Sequence, residues 1–135
     1  MLVVGDVVNR CRIALADAFH HEAEIYAASL AHYGFEVHPV ETGDVLRASE
    51  IIVRLHPDAV LSRILPGRFW IELVRVLRTN LGMTRLPIVI LTSLVHSTRL
   101  EEARQCGATE VILLPASAQA IADVLRRHVR TRRSA

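Results

Sequence analysis

The sequence predicts a doubly wound α/β domain in which five parallel strands alternate with five helices. Three observations carry that prediction. Short runs of branched aliphatic residues recur along the chain, each followed by a longer stretch with helical spacing. The most hydrophobic run, Pro87-Ile88-Val89-Ile90-Leu91-Thr92, is continuous rather than alternating, as in a strand buried on both faces. Of the 135 residues, 51% are hydrophobic but only 4% aromatic, so the core is built from Val, Ile, Leu and Ala. Short connections and right-handed crossovers then leave a parallel sheet covered by helices on both sides.

Residues 1–11 read as an extension with Val pairs and no clear period. Arg12-Ile13-Ala14-Leu15-Ala16 is the first strand, ending at Asp17. A helix is expected from about His21 to His32, with Ile25, Tyr26, Ala28, Ser29, Leu30 and Tyr33 on its apolar side, stopped by Gly34. Phe35-Glu36-Val37-His38-Pro39-Val40 alternates as a second strand. Thr42-Gly43-Asp44 turns into a second helix that ends near Leu55, and Pro57-Asp58 opens a third strand, Ala59 to Ser62. Leu65-Pro66-Gly67 is a loop before a third helix, about Trp70 to Leu77, and residues 79–85 form a polar connection.

After the strand at 87–92, Thr98 and Glu101 have the spacing of a capping box for the fourth helix, which ends at Cys106-Gly107. Glu110-Val111-Ile112-Leu113-Leu114 is the fifth strand, stopped by Pro115. Ser117 caps a last helix with Ala118, Ile121, Ala122, Leu125 and Val129 on one face. These elements divide the chain into an extension (1–11), one domain (12–129) and a basic tail (130–135).

Charge and cysteine content narrow the function classes. All 16 basic residues are arginine, against 14 carboxylates, and five of those arginines fall at positions 126–133. The body of the domain is therefore mildly acidic, and the net charge of +2 belongs to the tail. Cys11 and Cys106 are far apart and in no metal-ligand spacing, which suits a reducing, cytoplasmic compartment. No apolar run is long enough to span a membrane, and the first residues lack the basic region of a signal peptide.

In an open α/β sheet the site lies beyond the carboxyl ends of the strands. The candidates are Asp17-Ala18, Ser62-Arg63, Thr92-Ser93 and Leu114-Pro115. In their order and spacing, these ends resemble a response-regulator receiver domain, over about residues 12–129. The gapless stretch from Asp17 to Gly34-Phe35-Glu36-Val37 fits that pattern, as do Leu65-Pro66-Gly67, Leu86-Pro87 through Thr92, and Ala103 through Gly107-Ala108 to Pro115. The resemblance implies a CheY-like, flavodoxin-like sheet of order 2-1-3-4-5. It also implies five chemical groups: two adjacent carboxylates for Mg²⁺, an acceptor aspartate, a hydroxyl and a lysine, arranged for phosphoryl transfer.

On that pattern this chain offers Asp17 followed by Ala18, keeps Thr92, and carries Leu114 before the retained Pro115 at the lysine position. Counting back from Pro66 puts Ser62 at the acceptor position, and counting forward along the strand puts Arg63 there; neither is a carboxylate. The activation-reporting aromatic corresponds to Val111. The expected consequence is a vestigial phosphorylation pocket with weak or absent Mg²⁺ binding and no catalytic residue. Arg63 is either a counter-charge to Asp17 across that pocket or a solvent-facing side chain.

The expected function is a signalling module that works by protein–protein contact without phosphorylation and is not an enzyme. Its partner would be a signalling protein or a second copy, through the face of the fourth and fifth helices with the fifth strand. Two alternatives stand beside it: phosphorylation at an unusual site, or nucleic-acid binding through Arg126, Arg127, Arg130, Arg132 and Arg133. His20, His21 and Glu24 read as an exposed polar turn rather than a metal site, and Cys106 as a packed thiol.

Overall fold

The structure is a computed structural model that describes residues 10–64, 68–93 and 97–134, with backbone only at 97–99 and 130–134. The Leu65-Pro66-Gly67 loop and most of the 1–11 extension lie outside the described residues. Five strands alternate with five helices: β1 (Cys11–Ala16), α1 (His20–Ala31), β2 (Phe35–Val40), α2 (Val45–Leu55), β3 (Ala59–Arg63), α3 (Phe69–Arg75), β4 (Ile88–Thr92), α4 (Ser97–Gln105), β5 (Glu110–Leu113) and α5 (Ala118–Ser134). All strands run parallel, in the order β2-β1-β3-β4-β5.

Strand parity sorts the core into two layers. Ala14, Ala16, Val60, Ile88 and Ile90 face α2, α3 and α4, where Ile52, Trp70, Val74 and Ala103 cover them. Ile13, Leu15, Ala59, Leu61, Val89 and Leu91 face α1 and α5, against Ala23, Leu30, Ile121 and Leu125. The central strands β3 and β4 are buried along nearly their whole length, which is why their sequences run aliphatic without alternation.

Helix ends follow local chemistry. Asp44 caps α2 by accepting from the Leu46 and Arg47 amides at 2.9 and 3.3 Å, and Ser117 caps α5 by accepting from the Ala120 amide at 3.0 Å. The side chain of Thr98 lies outside the described residues, and its backbone is already inside α4. Two boundaries differ from the sequence reading. The third helix does not stop at Leu77 but continues as a π turn over Val76–Asn80, with the Thr79 hydroxyl donating to the Arg75 carbonyl at 2.6 Å. The last helix runs to Ser134, past the boundary at 129.

Arg78 ties three segments together. Its Nε donates to the Gly107 carbonyl at 2.9 Å, Nη1 to the Met83 and Leu86 carbonyls at 2.8 and 2.5 Å, and Nη2 to Thr109 Oγ1 at 3.1 Å. Gly107 is required beside it: its φ is +111°, and a Cβ there would stand 3.3 Å from Arg78 Cγ.

Candidate functional site at the carboxyl ends of the strands

The register brings the expected residues to one end of the sheet. Ala16 stands opposite Ser62, Arg63 opposite Leu91, and Thr92 opposite Leu113. Asp17 and Ala18 follow directly from β1, and the cis-linked Leu114-Pro115 follows from β5. Asp58 sits at the other end of β3, where its Oδ2 accepts from the Arg12 amide at 2.8 Å.

Parity then divides the site. Even positions Ser62 and Thr92 share the α2–α4 face of the sheet with Val60 and Ile90, and both are buried. The Ser62 hydroxyl donates to the Arg63 carbonyl at 3.1 Å. Arg63, an odd position, falls on the α1 side with Ala59 and Leu61. There its Nε donates to Glu22 Oε1 at 2.7 Å, with its side chain only 15% exposed. The expected pairing of Arg63 with Asp17 is thus corrected: the ion pair forms with Glu22, and Asp17 feels the guanidinium only as a nearby charge. The solvent-facing alternative for Arg63 is also excluded.

Glu22 is the residue that sequence reading missed. It lies in the first turn of α1, where a carboxylate also complements the helix dipole, and it stands against Asp17. Asp17 is 9% exposed. Its Oδ1 accepts from the Phe19 amide at 2.9 Å, a local turn that leads the chain into α1, while its Oδ2 is buried without a partner. Burial, and next the Glu22 side chain, push the Asp17 carboxyl up to about 7; the Phe19 N–H and Arg63 pull the other way without offsetting them. Burial, with Glu22 again contributing, also raises the Tyr26 phenol beside this cluster.

Among the described residues, no three His, Cys, Asp or Glu side chains gather to hold a metal. The resemblance implies Mg²⁺ at the Asp17 corner, and the donor set does not fit it. Two carboxylates meet there, one already paired with a guanidinium, so the positive charge is supplied by the chain itself.

The other candidates fall elsewhere. Val111 packs, partly buried, against the α2–α4 layer. His20 pairs with Glu24 at 3.1 Å on an exposed turn. Cys106 is half-buried, its thiol donating to the Ala103 carbonyl at 3.3 Å and raised by burial. Arg126 is drawn into the fold: it donates to the Tyr33 carbonyl at 2.9 Å and lies over the Tyr33 and Phe35 rings. Arg127 and His128 both hold Glu110 at 2.6 Å. The side chains of Arg130, Arg132 and Arg133 lie outside the described residues. No described helix is long and apolar enough to cross a membrane.

No family model matches the chain. The phosphate regulon transcriptional regulatory protein PhoB of Rhizobium meliloti is 33% identical over 100 residues, 71% of this chain and 44% of that protein. The DNA-binding response regulator MtrA of Mycobacterium tuberculosis is 33% identical over 107 residues, 78% of this chain and 45% of that protein. The chain therefore spans less than half the length of these curated relatives. The BeF3-activated N-terminal receiver domain of Klebsiella pneumoniae RstA superimposes with a TM-score of 0.77 at 32% identity, over 88% of this chain and 98% of that one. Strand order, the convergence of Asp17, Ser62, Thr92 and Leu114 at one sheet end, and this match along nearly a whole receiver lead to one conclusion: the chain belongs to the receiver domains of response regulators.

Proposed function

We propose that this receiver acts in two-component signalling without being phosphorylated, by protein–protein contact. The observation that carries the reading is Ser62. Of the two residues that counting offers for the acceptor position, Ser62 is a buried hydroxyl turned onto the backbone carbonyl of Arg63, and Arg63 is a guanidinium held by Glu22; neither is a carboxylate facing a metal. A hydroxyl is a weak nucleophile unless a base activates it. Leu114 brings no cation to the strand end, and the cation that is present, Arg63, is engaged by Glu22. Nucleophile, metal and phosphoryl-oxygen support are thereby weakened together, each contributing roughly several kcal/mol of transition-state stabilisation in phosphoryl transfer.

The contact surface in this reading is the edge of the sheet at β5 with α4 and α5. Leu113 is 51% exposed on that edge strand, and exposed apolar side chains on an unpaired edge favour docking. The partner is a signalling protein or a second copy, in the cytoplasm. The relatives are conventional regulators by name, so the decisive experiment is direct. The protein is incubated with acetyl phosphate and Mg²⁺ and its intact mass recorded. An unchanged mass is expected; a gain of one phosphoryl group, at any residue, overturns the reading.

A further inference from the structure

We infer that the cleft between α3 and α4 binds a small zwitterion, an α-amino acid with an apolar side chain. The cleft lies away from the strand-end pocket, and the inference stands independently of the reading above. Its volume is about 520 Å³, within the range of small-molecule sites. Ile71, Arg75 and Thr79 line it from α3 and the π turn, and Glu102, Gln105 and Cys106 line it from α4 and the residue after it. Three observations converge on the ligand class. First, a cation and a carboxylate share the cleft without pairing with each other. The Arg75 guanidinium has no hydrogen-bond or ion-pair partner among the described residues, and Glu102 is engaged only by Arg68, at 3.5 Å in an exposed pair. Second, apolar surface lies between them: Ile71 is 2% exposed and Cys106 is half-buried. Third, the α3 wall has a fixed shape. The π turn begins directly after Arg75, and the Thr79 hydroxyl ties it back to the Arg75 carbonyl at 2.6 Å.

The physical argument is charge complementarity. A guanidinium presents a planar fork of donors that matches a carboxylate in two parallel hydrogen bonds. A glutamate accepts from an ammonium in the same charge-assisted way. An α-amino acid carries both partners on neighbouring atoms, so one small molecule inserted between Arg75 and Glu102 satisfies both walls. Its side chain then covers Ile71 and the Cys106 thiol and removes their apolar surface from water. The Arg68 pair does not stand in the way, because an exposed ion pair is worth little and is readily shared. An acid without the ammonium leaves Glu102 unmatched, and an amine without the carboxylate leaves Arg75 unmatched. Each loss removes one of the two charge-assisted contacts. π turns recur at functional sites, and this one shapes the wall that carries Arg75 and Thr79. An occupant of the cleft joins α3 to α4.

The test is an amide and methyl NMR titration of the full chain with L-valine, L-leucine, L-methionine and L-phenylalanine, each to about 10 mM. Saturable shifts centred on Ile71, Arg75, Thr79, Gln105 and Cys106 are expected with at least one of the four. The amine and the carboxylic acid matched to the best binder, each keeping one charge, are expected to bind at least about tenfold more weakly. Arg75→Met is expected to weaken the amino acid and the acid by at least about tenfold and to leave the amine unchanged. Glu102→Gln is expected to weaken the amino acid and the amine and to leave the acid unchanged. If Arg75→Met does not fold, Arg75→Gln takes its place with the same expectations. No saturable shift with any of the four amino acids, or shifts centred elsewhere, overturns the inference. So does an acid or amine that binds as tightly as its amino acid, or a folded Arg75 variant that binds the amino acid as wild type does. None of these outcomes changes the mass of the chain, so the phosphoryl test above fails or holds on its own terms.

Discussion

Asn in place of Asp17 tests the proton at the site and has a calculable effect. The Asp17 carboxyl is raised from about 3.8 in the unfolded chain to about 7 in the fold, chiefly by burial and then by Glu22. The folded state therefore binds more protons than the unfolded state between those two values, and stability falls as pH rises through that window. Below about pH 4 both states are protonated and Asp17 costs nothing; above about pH 7 the full penalty applies. At about 1.4 kcal/mol per unit, the ceiling is roughly 4 kcal/mol, reached only if Asp17 alone carries the cost of the pair. Asn has the same shape, cannot ionise, keeps an acceptor for the Phe19 amide and offers an N–H to Glu22. Asp17→Asn should thus stabilise the protein by about 2–4 kcal/mol at pH 8, and its advantage should shrink by about 2–3 kcal/mol at pH 5. Urea unfolding followed by Trp70, which is 2% exposed, measures this directly. Wild-type and variant stabilities that stay parallel from pH 5 to 8, or a variant less stable at pH 8, would mean that Asp17 is not raised by burial.

Other substitutions probe the scaffold that holds the site. Arg78→Ala should cost about 2–4 kcal/mol in urea unfolding because it strands carbonyls at Met83, Leu86 and Gly107; Arg78→Lys should recover less than half, having no fork to span them. Gly107→Ala should lose about 1–3 kcal/mol, from its φ of +111° and the close approach to Arg78. Asp44→Ala and Ser117→Ala should each lower stability by about 1 kcal/mol through uncapped helix starts, additively, since the sites are independent.

The scaffold was legible in the sequence because its signals are local and redundant. The unbroken aliphatic run from Pro87 to Thr92 fitted a doubly buried strand, which is Ile88–Thr92, and Gly34 marked the end of a helix. Ser117 caps where its position indicated. What escaped was structure that breaks a period or joins distant positions. The π turn at Val76–Asn80 adds a residue to a turn, so a 3.6-residue reading loses phase at Leu77 and takes the rest for a connection. Ile25 was placed on the apolar side of α1 yet is 63% exposed; Leu30 is buried as expected, with Ala23 beside it, and a face built of Ala and Ser leaves its phase ambiguous.

The site was half legible. Asp17, Ser62, Thr92 and Leu114 converge as their spacing required. The Glu22 contact did not follow, because the position next to Asp17 is Ala18 and the carboxylate of Glu22 lies four residues further on, in the first turn of α1. The clue was nevertheless present in strand parity: Ala59 and Leu61 face α1, so Arg63 must face it too, toward whatever carboxylate α1 carries in its first turn.

In the proposed function, the strand-end pocket is closed to phosphoryl chemistry by its own residues. An amide NMR titration with beryllofluoride and Mg²⁺, the phosphoryl mimic that activates the RstA receiver, tests that closure at residue level. Signals at Asp17, Ser62, Arg63, Thr92 and Leu114 are expected to stay unchanged throughout the titration. Saturable shifts that start at those residues and spread to β5 and α4 would show the pocket open to a phosphoryl group.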